Sequence, residues 1–242
     1  MTAYGLTKEG VTGSSTRRGQ LMVSANPYND DDLRFPKHFP PPPLDIAPMP
    51  LILEGLVTTQ DAQGVVNLAP MGPIVDRDLT RLTLRPFRTS QTYRNLKQTR
   101  EGVFHVTDDV ELLAHAAIGD FPQPPEYRAA AHVKCPLLAD ACRWLEFRVE
   151  LFDDNADRTT IECAIIQRSE GRPFFGFNRA KHAVVEAAIL ATRVGIQPAD
   201  EIREEMSRLA VIVGKTAGEQ EERAFCYLRE QTARRLVESG TP

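Results

Sequence analysis

The chain has 242 residues, 42% of them hydrophobic and 26% charged, a globular composition that suits one generous domain or two small ones. Its 29 Lys and Arg against 33 Asp and Glu leave a net charge of −4, which excludes bulk attraction to nucleic acid or to an anionic membrane surface. No apolar run is long enough to cross a bilayer, no secretory pattern opens the chain, and Cys135, Cys142, Cys163 and Cys226 show no C-x-x-C spacing, so a reduced, cytoplasmic protein is expected.

Residues 1–48 contain GSSTRRG, NPYNDDD and the run Pro40–Pro43, with almost no periodic apolar residues. They are expected to form a disordered or loosely packed tail, with the prolines as an extended spacer or a partner motif. From Leu51 the pattern changes. LILEGLVTT (51–59), GVVNLAP (64–70) and LTRLTLRPF (79–87) read as strands, and Asp61–Gly64 turns the first two into a hairpin. A short helix follows over Ser90–Gln98, then the strand GVFHVT (102–107) and the helix DDVELLAHAAI (108–118), which Asp108 and Asp109 cap. FPQPPEY (121–127) reads as a loop. RWLEFRVELF (143–152) alternates like a half-exposed strand, with Trp144 in the core or at a dimer interface. It pairs with TTIECAIIQRS (159–169) across Asp153–Arg158.

The remainder is helical. Asn178 caps a helix to about Arg193, Pro198 opens a second that ends before Gly214, and a third covers roughly Gln220–Leu236. The stripe Ala183–Ala187–Ala191 suits close packing, within the chain or against a second copy. Strands precede helices without alternation. The expected fold is therefore mainly β with C-terminal helices, an α+β chain built on an antiparallel barrel.

One stretch carries chemistry. RPFRTSQTYRNL (85–96) ends an apolar strand and opens a helix, bringing Arg85, Arg88, hydroxyls at Thr89, Ser90 and Thr92, and the Asn95 amide to a helix N-terminus. Charge, directed donors and a favourable dipole are what a bound phosphate needs. A capped surface helix with solvated arginines accounts for the same residues. Just upstream, in NLAPMG (67–72), Pro70 and Pro73 interrupt the strand and Gly72 frees the backbone. The freed groups can face a ligand edge, or the segment is an ordinary exit from an edge strand. His105, His115, His132 and His182 are scattered, so no metal site is expected. P-loop, G-x-G-x-x-G and G-x-S-x-G motifs are absent.

The ordered blocks LILEGLVTT, VVNLAPMGPIV, LTLRPFRTSQTYRNLKQTREGVFHVTDD and FNRAKHAVVEAAILATR resemble a family of archaeal and bacterial proteins described as a domain of unknown function. Its members have the FMN-binding split-barrel fold, shared more widely with flavin reductases and pyridoxamine-phosphate oxidases. The resemblance spans about Leu51–Leu236. It implies a split-barrel FMN-binding domain over 49–177 and a helical extension over 178–242, packed on the barrel or on a dimer partner. It implies FMN-phosphate contacts from Arg88, Ser90, Thr92 and Asn95, with Thr89 and Gln91 beside them. Asn67, Ala69, Pro70, Met71 and Gly72 would line the flavin ring, and Asn178, Arg179 and Arg193 would complete the pocket. It also implies a homodimer. The family usually has Asn where this chain has His105, so hydrogen bonding there is expected to differ.

The leading expectation is thus an FMN-dependent oxidoreductase passing hydride or electrons to an unidentified small molecule, with no acid/base pair required. A non-catalytic flavin carrier or sensor predicts the same phosphate site without turnover. A helical interaction module predicts no flavin at all.

Overall fold

A computed structural model describes residues 50–240; the tail and its proline run lie outside them. In chain order the strands and helices are β1 (Leu51–Ile52), β2 (Gly55–Gln60), β3 (Val66–Met71), β4 (Ile74–Val75), β5 (Arg81–Leu84), α1 (Gln91–Thr99), β6 (Glu101–Val106), α2 (Val110–Ile118), β7 (Tyr127–Arg128), β8 (Leu137–Leu138), β9 (Arg143–Asp153), β10 (Thr160–Glu170), α3 (Arg179–Thr192), α4 (Ala199–Thr216) and α5 (Glu219–Glu238). Eight strands form one antiparallel sheet in the order β1-β4-β5-β10-β9-β6-β2-β3, and β7 pairs with β8 apart from it.

The β2–β3 hairpin forms where the turn chemistry demands it. Asp61 Oδ1 accepts from the backbone N–H of Gln63 (3.0 Å) and Val65 (2.8 Å), and Gly64 takes φ +85°, a value that favours glycine. β3 stands at the sheet edge, so it tolerates Pro70. The strand continues through it, with Leu56 opposite Pro70 and Gly55 opposite Met71, and is not interrupted there as the sequence suggests.

Both faces of the sheet are covered. Val57, Leu82, Leu84, Phe104, Leu145, Phe147 and Ile161 fill the barrel interior, and Leu96 of α1 plugs it. On the outer face, Leu56 and Leu68 meet the cluster built by α2, α3, α4 and α5. Ala183, Ala187 and Ala191 are buried in that cluster, so the small-residue stripe serves packing within the chain. Along β9, Trp144 and Glu146 alternate with Leu145 and Phe147, and all four are buried. The expected half-exposed strand is covered here because Val133, Cys135, Leu137 and Ala141 cover Trp144 and Val103. Trp144 Nε1 donates to Leu138 O (2.8 Å), which places this ring in the core. The Glu146 carboxylate accepts from the backbone N–H of Ala131, His132 and Val133, so a charged residue is buried on backbone donors.

The helix caps follow the sequence with two exceptions. Ser90 Oγ accepts from Tyr93 N, Asp109 Oδ1 from Leu112 N, and Asn178 Oδ1 from Ala180 N and Lys181 N. Asp108 is no cap: it is buried and paired with Arg172. α4 runs through Gly214 to Thr216, because Leu209 and Val213 are buried on the same stripe as Met206 and hold the helix past the glycine. Among the described residues, no helix is long and apolar enough to cross a membrane.

Candidate functional site

The Arg85–Asn95 stretch leaves β5 and enters α1 through a tight turn. Phe87 bridges to Arg158, Arg88 N donates to Asp157 O (3.0 Å) and Ser90 N to Phe87 O (2.9 Å). The capped N-terminus of α1 then lies over β2 and β3. Tyr93 N is taken by Ser90 Oγ, while Gln91 and Thr92 hold N–H groups that no helical carbonyl can accept. The first turns of α1 and α3 carry no acid, whereas those of α2, α4 and α5 do. The positive end of α1 is thus not neutralised by a carboxylate of its own first turn.

Beneath this turn lies a polar cluster. Asn67 Nδ2 donates to Thr92 Oγ1 (3.2 Å) and Thr59 Oγ1 (3.4 Å), and Asn95 Nδ2 donates to Thr59 Oγ1 (3.1 Å). Gln91 Nε2 donates to Asn95 Oδ1 (2.6 Å). Arg94 grips Gln91 Oε1 through Nε (3.1 Å) and Nη2 (2.8 Å), and Thr89 O through Nη1 (2.6 Å). Thr59, Thr92 and Asn95 are buried, and Arg88 and Thr89 are exposed. The two sequence blocks, 67–72 and 85–96, therefore meet at Asn67–Thr92.

Sequence alone does not single out Thr59. It looks like any alternating strand threonine, and only its register opposite Asn67 gives it two amides to accept from. Thr59→Val is expected to cost about 1–3 kcal/mol, because the buried Asn95 amide and the half-buried Asn67 amide lose their shared acceptor. Urea denaturation measures this, and an unchanged midpoint would show that the cluster does not hold α1.

Asn67, Ala69 and Met71 share one face of β3, and Met71 packs against the barrel interior. Gly72 follows, where a Cβ would lie 2.6 Å from Glu54 Oε1 and 2.9 Å from Ile52 Cγ2. Arg85, in the turn between β5 and α1, has a buried Nε, the one buried side-chain nitrogen or oxygen among the described residues without a hydrogen-bond partner. The third group is not brought to this cluster. Asn178 spends its oxygen capping α3 and its Nδ2 on Thr216 O (3.1 Å). Arg179 and Arg193 are exposed at opposite ends of α3. His105 is fully buried between Leu56 O (3.1 Å from Nδ1) and Leu138 N (3.0 Å from Nε2), and faces no surface.

Two family models match this chain, both described as protein of unknown function (DUF447): an N-terminal domain over residues 53–172 and a second region over 178–230. The chain belongs to the DUF447 family. Among solved structures, the DUF447 chain is similar to an FMN-bound protein of that family from Methanosarcina mazei, with a TM-score of 0.65, 22% identity, and coverage of 74% of this chain and 94% of the other. Weaker likenesses reach the flavin reductase of a styrene monooxygenase from Pseudomonas putida S12 (TM-score 0.42, 14% identity, 50% and 80% covered) and the flavoredoxin of Desulfovibrio vulgaris (0.43, 12%, 52% and 74%). Comparison with curated proteins gives no match. The sheet order and the Methanosarcina mazei likeness together show the FMN-binding split-barrel fold.

Proposed function

We propose that this DUF447 chain is an FMN-binding protein and, when paired with an electron donor, an oxidoreductase. The observation that carries the reading is the α1 N-terminus: a capped turn with free N–H groups and no acid, sitting on the Asn67–Thr92–Asn95 cluster, with Arg85 Nε buried and unpartnered nearby in the sequence. An anion with several oxygens fits this donor set, and the FMN phosphate is such an anion. The likeness to an FMN-bound DUF447 protein supports the choice of FMN over other phosphates.

In this reading Arg88, Thr89, Ser90, Gln91, Thr92 and Asn95 hold the phosphate, with charge from Arg88 and donors from the backbone and hydroxyls. Asn67, Ala69, Pro70, Met71 and Gly72 run along the edge of the ring. Flavin supplies hydride or electron transfer when bound; the chain binds it, orients it and needs no proton-transfer dyad of its own. The barrel, residues 49–177, is the flavin domain and 178–242 its helical extension, in a cytoplasmic homodimer.

The test is retention of flavin. Protein saturated with FMN and freed of excess ligand is expected to keep visible flavin absorbance, with about tenfold to a hundredfold weaker affinity in Arg88→Glu, the loss of one charge-assisted contact and the gain of a repulsive one. A colourless wild-type protein would overturn the flavin reading. Full affinity in Arg88→Glu would move the phosphate away from α1.

A further inference from the structure

From the turn at Ala217–Gly218, α4 and α5 run back along α3, and they close on each other at one end only. Near the turn, Leu209, Val213, Phe225 and Leu228 are buried in the cluster shared with α3. Farther out the facing positions are small: Ser207 and Ala210 on α4, and Ala233 on α5. Small side chains leave space there that larger ones would fill. A groove of about 440 Å³ opens between the two helices, a size that suits a small ligand. It follows α4 from Ile202 to Ala210, about 12 Å. It shares no residue with the 67–72 and 85–96 blocks.

The lining divides into an apolar floor and a cationic rim. Ile202, Met206 and Leu236 are buried and form the floor. The hydroxyls beside them have spent their protons. Ser207 Oγ donates to Arg203 O (2.8 Å) and Thr232 Oγ1 donates to Leu228 O (2.7 Å), each on its own helix. Each helix adds one arginine, and no carboxylate lines the groove. Arg203 is held by Asp200 (2.9 Å). Arg229 is exposed and forms no ion pair among the described residues. Side-chain donors are thus offered only at the rim. A sugar or a nucleotide carries polar groups along its length, and this floor would leave them unpaired. A molecule that is apolar along its length and anionic at one end satisfies both parts. Its chain removes the floor from water, and its anion meets a guanidinium that lacks a carboxylate.

We propose that the groove between α4 and α5 binds a free alkyl carboxylate, its chain along Ile202, Met206 and Leu236 and its carboxylate on Arg229. This site is separate from the flavin reading and stands or falls without it.

Titration of the full-length protein with decanoate, followed by methyl NMR, tests this. FMN is kept in excess, so that an anion site at α1 is occupied. The methyl signals of Met206, Ala210, Ala233, Leu236 and Val237 are expected to shift together and to saturate. Affinity should rise from hexanoate to octanoate to decanoate by about twofold to fourfold per added methylene, as apolar burial requires. Arg229→Glu should weaken decanoate at least about tenfold and leave the uncharged decanol unaffected, while Arg229→Lys keeps most of the decanoate affinity. Ala233→Phe, at an exposed position, should fill the groove and remove binding of both. Groove methyls that do not respond to decanoate, or an affinity that Arg229→Glu leaves unchanged, would overturn the proposal. So would groove methyls that shift on dilution of the protein alone, since the groove would then be a contact between protein chains.

Discussion

Acidification from pH 6.5 to about 4 is expected to remove about 3 kcal/mol of folding stability through His105 alone. The ring is fully buried, which pushes its pKa down to about 4, only partly opposed by the hydrogen bond at Leu56 O. Nδ1–H donates to Leu56 O and Nε2 accepts from Leu138 N–H, a pairing that only the neutral ring can make. Above pH 6.5 the imidazole is neutral in both states and the full stabilisation is present. Below 6.5 the unfolded chain gains a proton that the folded chain refuses, so stability falls until the pH passes the folded value near 4. Urea denaturation at about pH 7.5 and about pH 4.5 measures the loss, with His105→Asn as the control that removes the titrating group. Equal pH slopes in the two proteins would show that His105 does not titrate in this window.

The second large effect is expected at Asp108. Asp108→Ala removes the partner of Arg172 and the acceptor of Phe175 N–H, and should cost about 2–4 kcal/mol. The upper end of the range for a broken buried pair is not reached, because Arg172 keeps about a third of its exposure and can hold Asp140. Asp108→Asn retains an acceptor for Phe175 N–H and should lose roughly half as much. Hydrogen exchange gives the local signature: the Phe175 amide loses protection in Asp108→Ala and keeps most of it in Asp108→Asn. Burial raises the Asp108 pKa, but the Arg172 hydrogen bond, the Phe175 N–H, and the charges of Arg172 and Lys181 outweigh it and hold the carboxyl below its usual range. Its contribution is therefore present above the ordinary carboxylate pKa and is lost as pH falls through the depressed folded value. Unchanged exchange at Phe175 in Asp108→Ala would break the link between this pair and the stretch around Phe175.

The two sites differ in how far the sequence announces them. The 67–72 and 85–96 blocks are legible because local rules act there. A serine before a helical run caps it, arginines and hydroxyls gather at its start, and a proline-bearing strand belongs at an edge. The structure joins them through the hydrogen bond from Asn67 to Thr92. Thr59, the shared acceptor under that site, is not legible, since nothing local separates it from Thr58 beside it. Asp108 reads as a cap because Asp-Asp precedes a helix; that Arg172, far along the chain, claims it depends on the chain's return after β10.

What the sequence by itself determined is the family, the antiparallel hairpins, the capped helices and the polar residues at the start of α1. These follow from side-chain periodicity and from hydrogen bonds between residues a few positions apart. Only the tertiary structure decided which alternating strands are covered on both faces, that Glu146 is buried under three backbone N–H groups, that the alanine stripe of α3 packs inward, and that Phe174, Phe175 and Phe177 are held in solvent. The physical reason is common to all four. Burial depends on what the chain lays across a surface from far away in sequence, and the period of a strand or helix records its own geometry but not its neighbour.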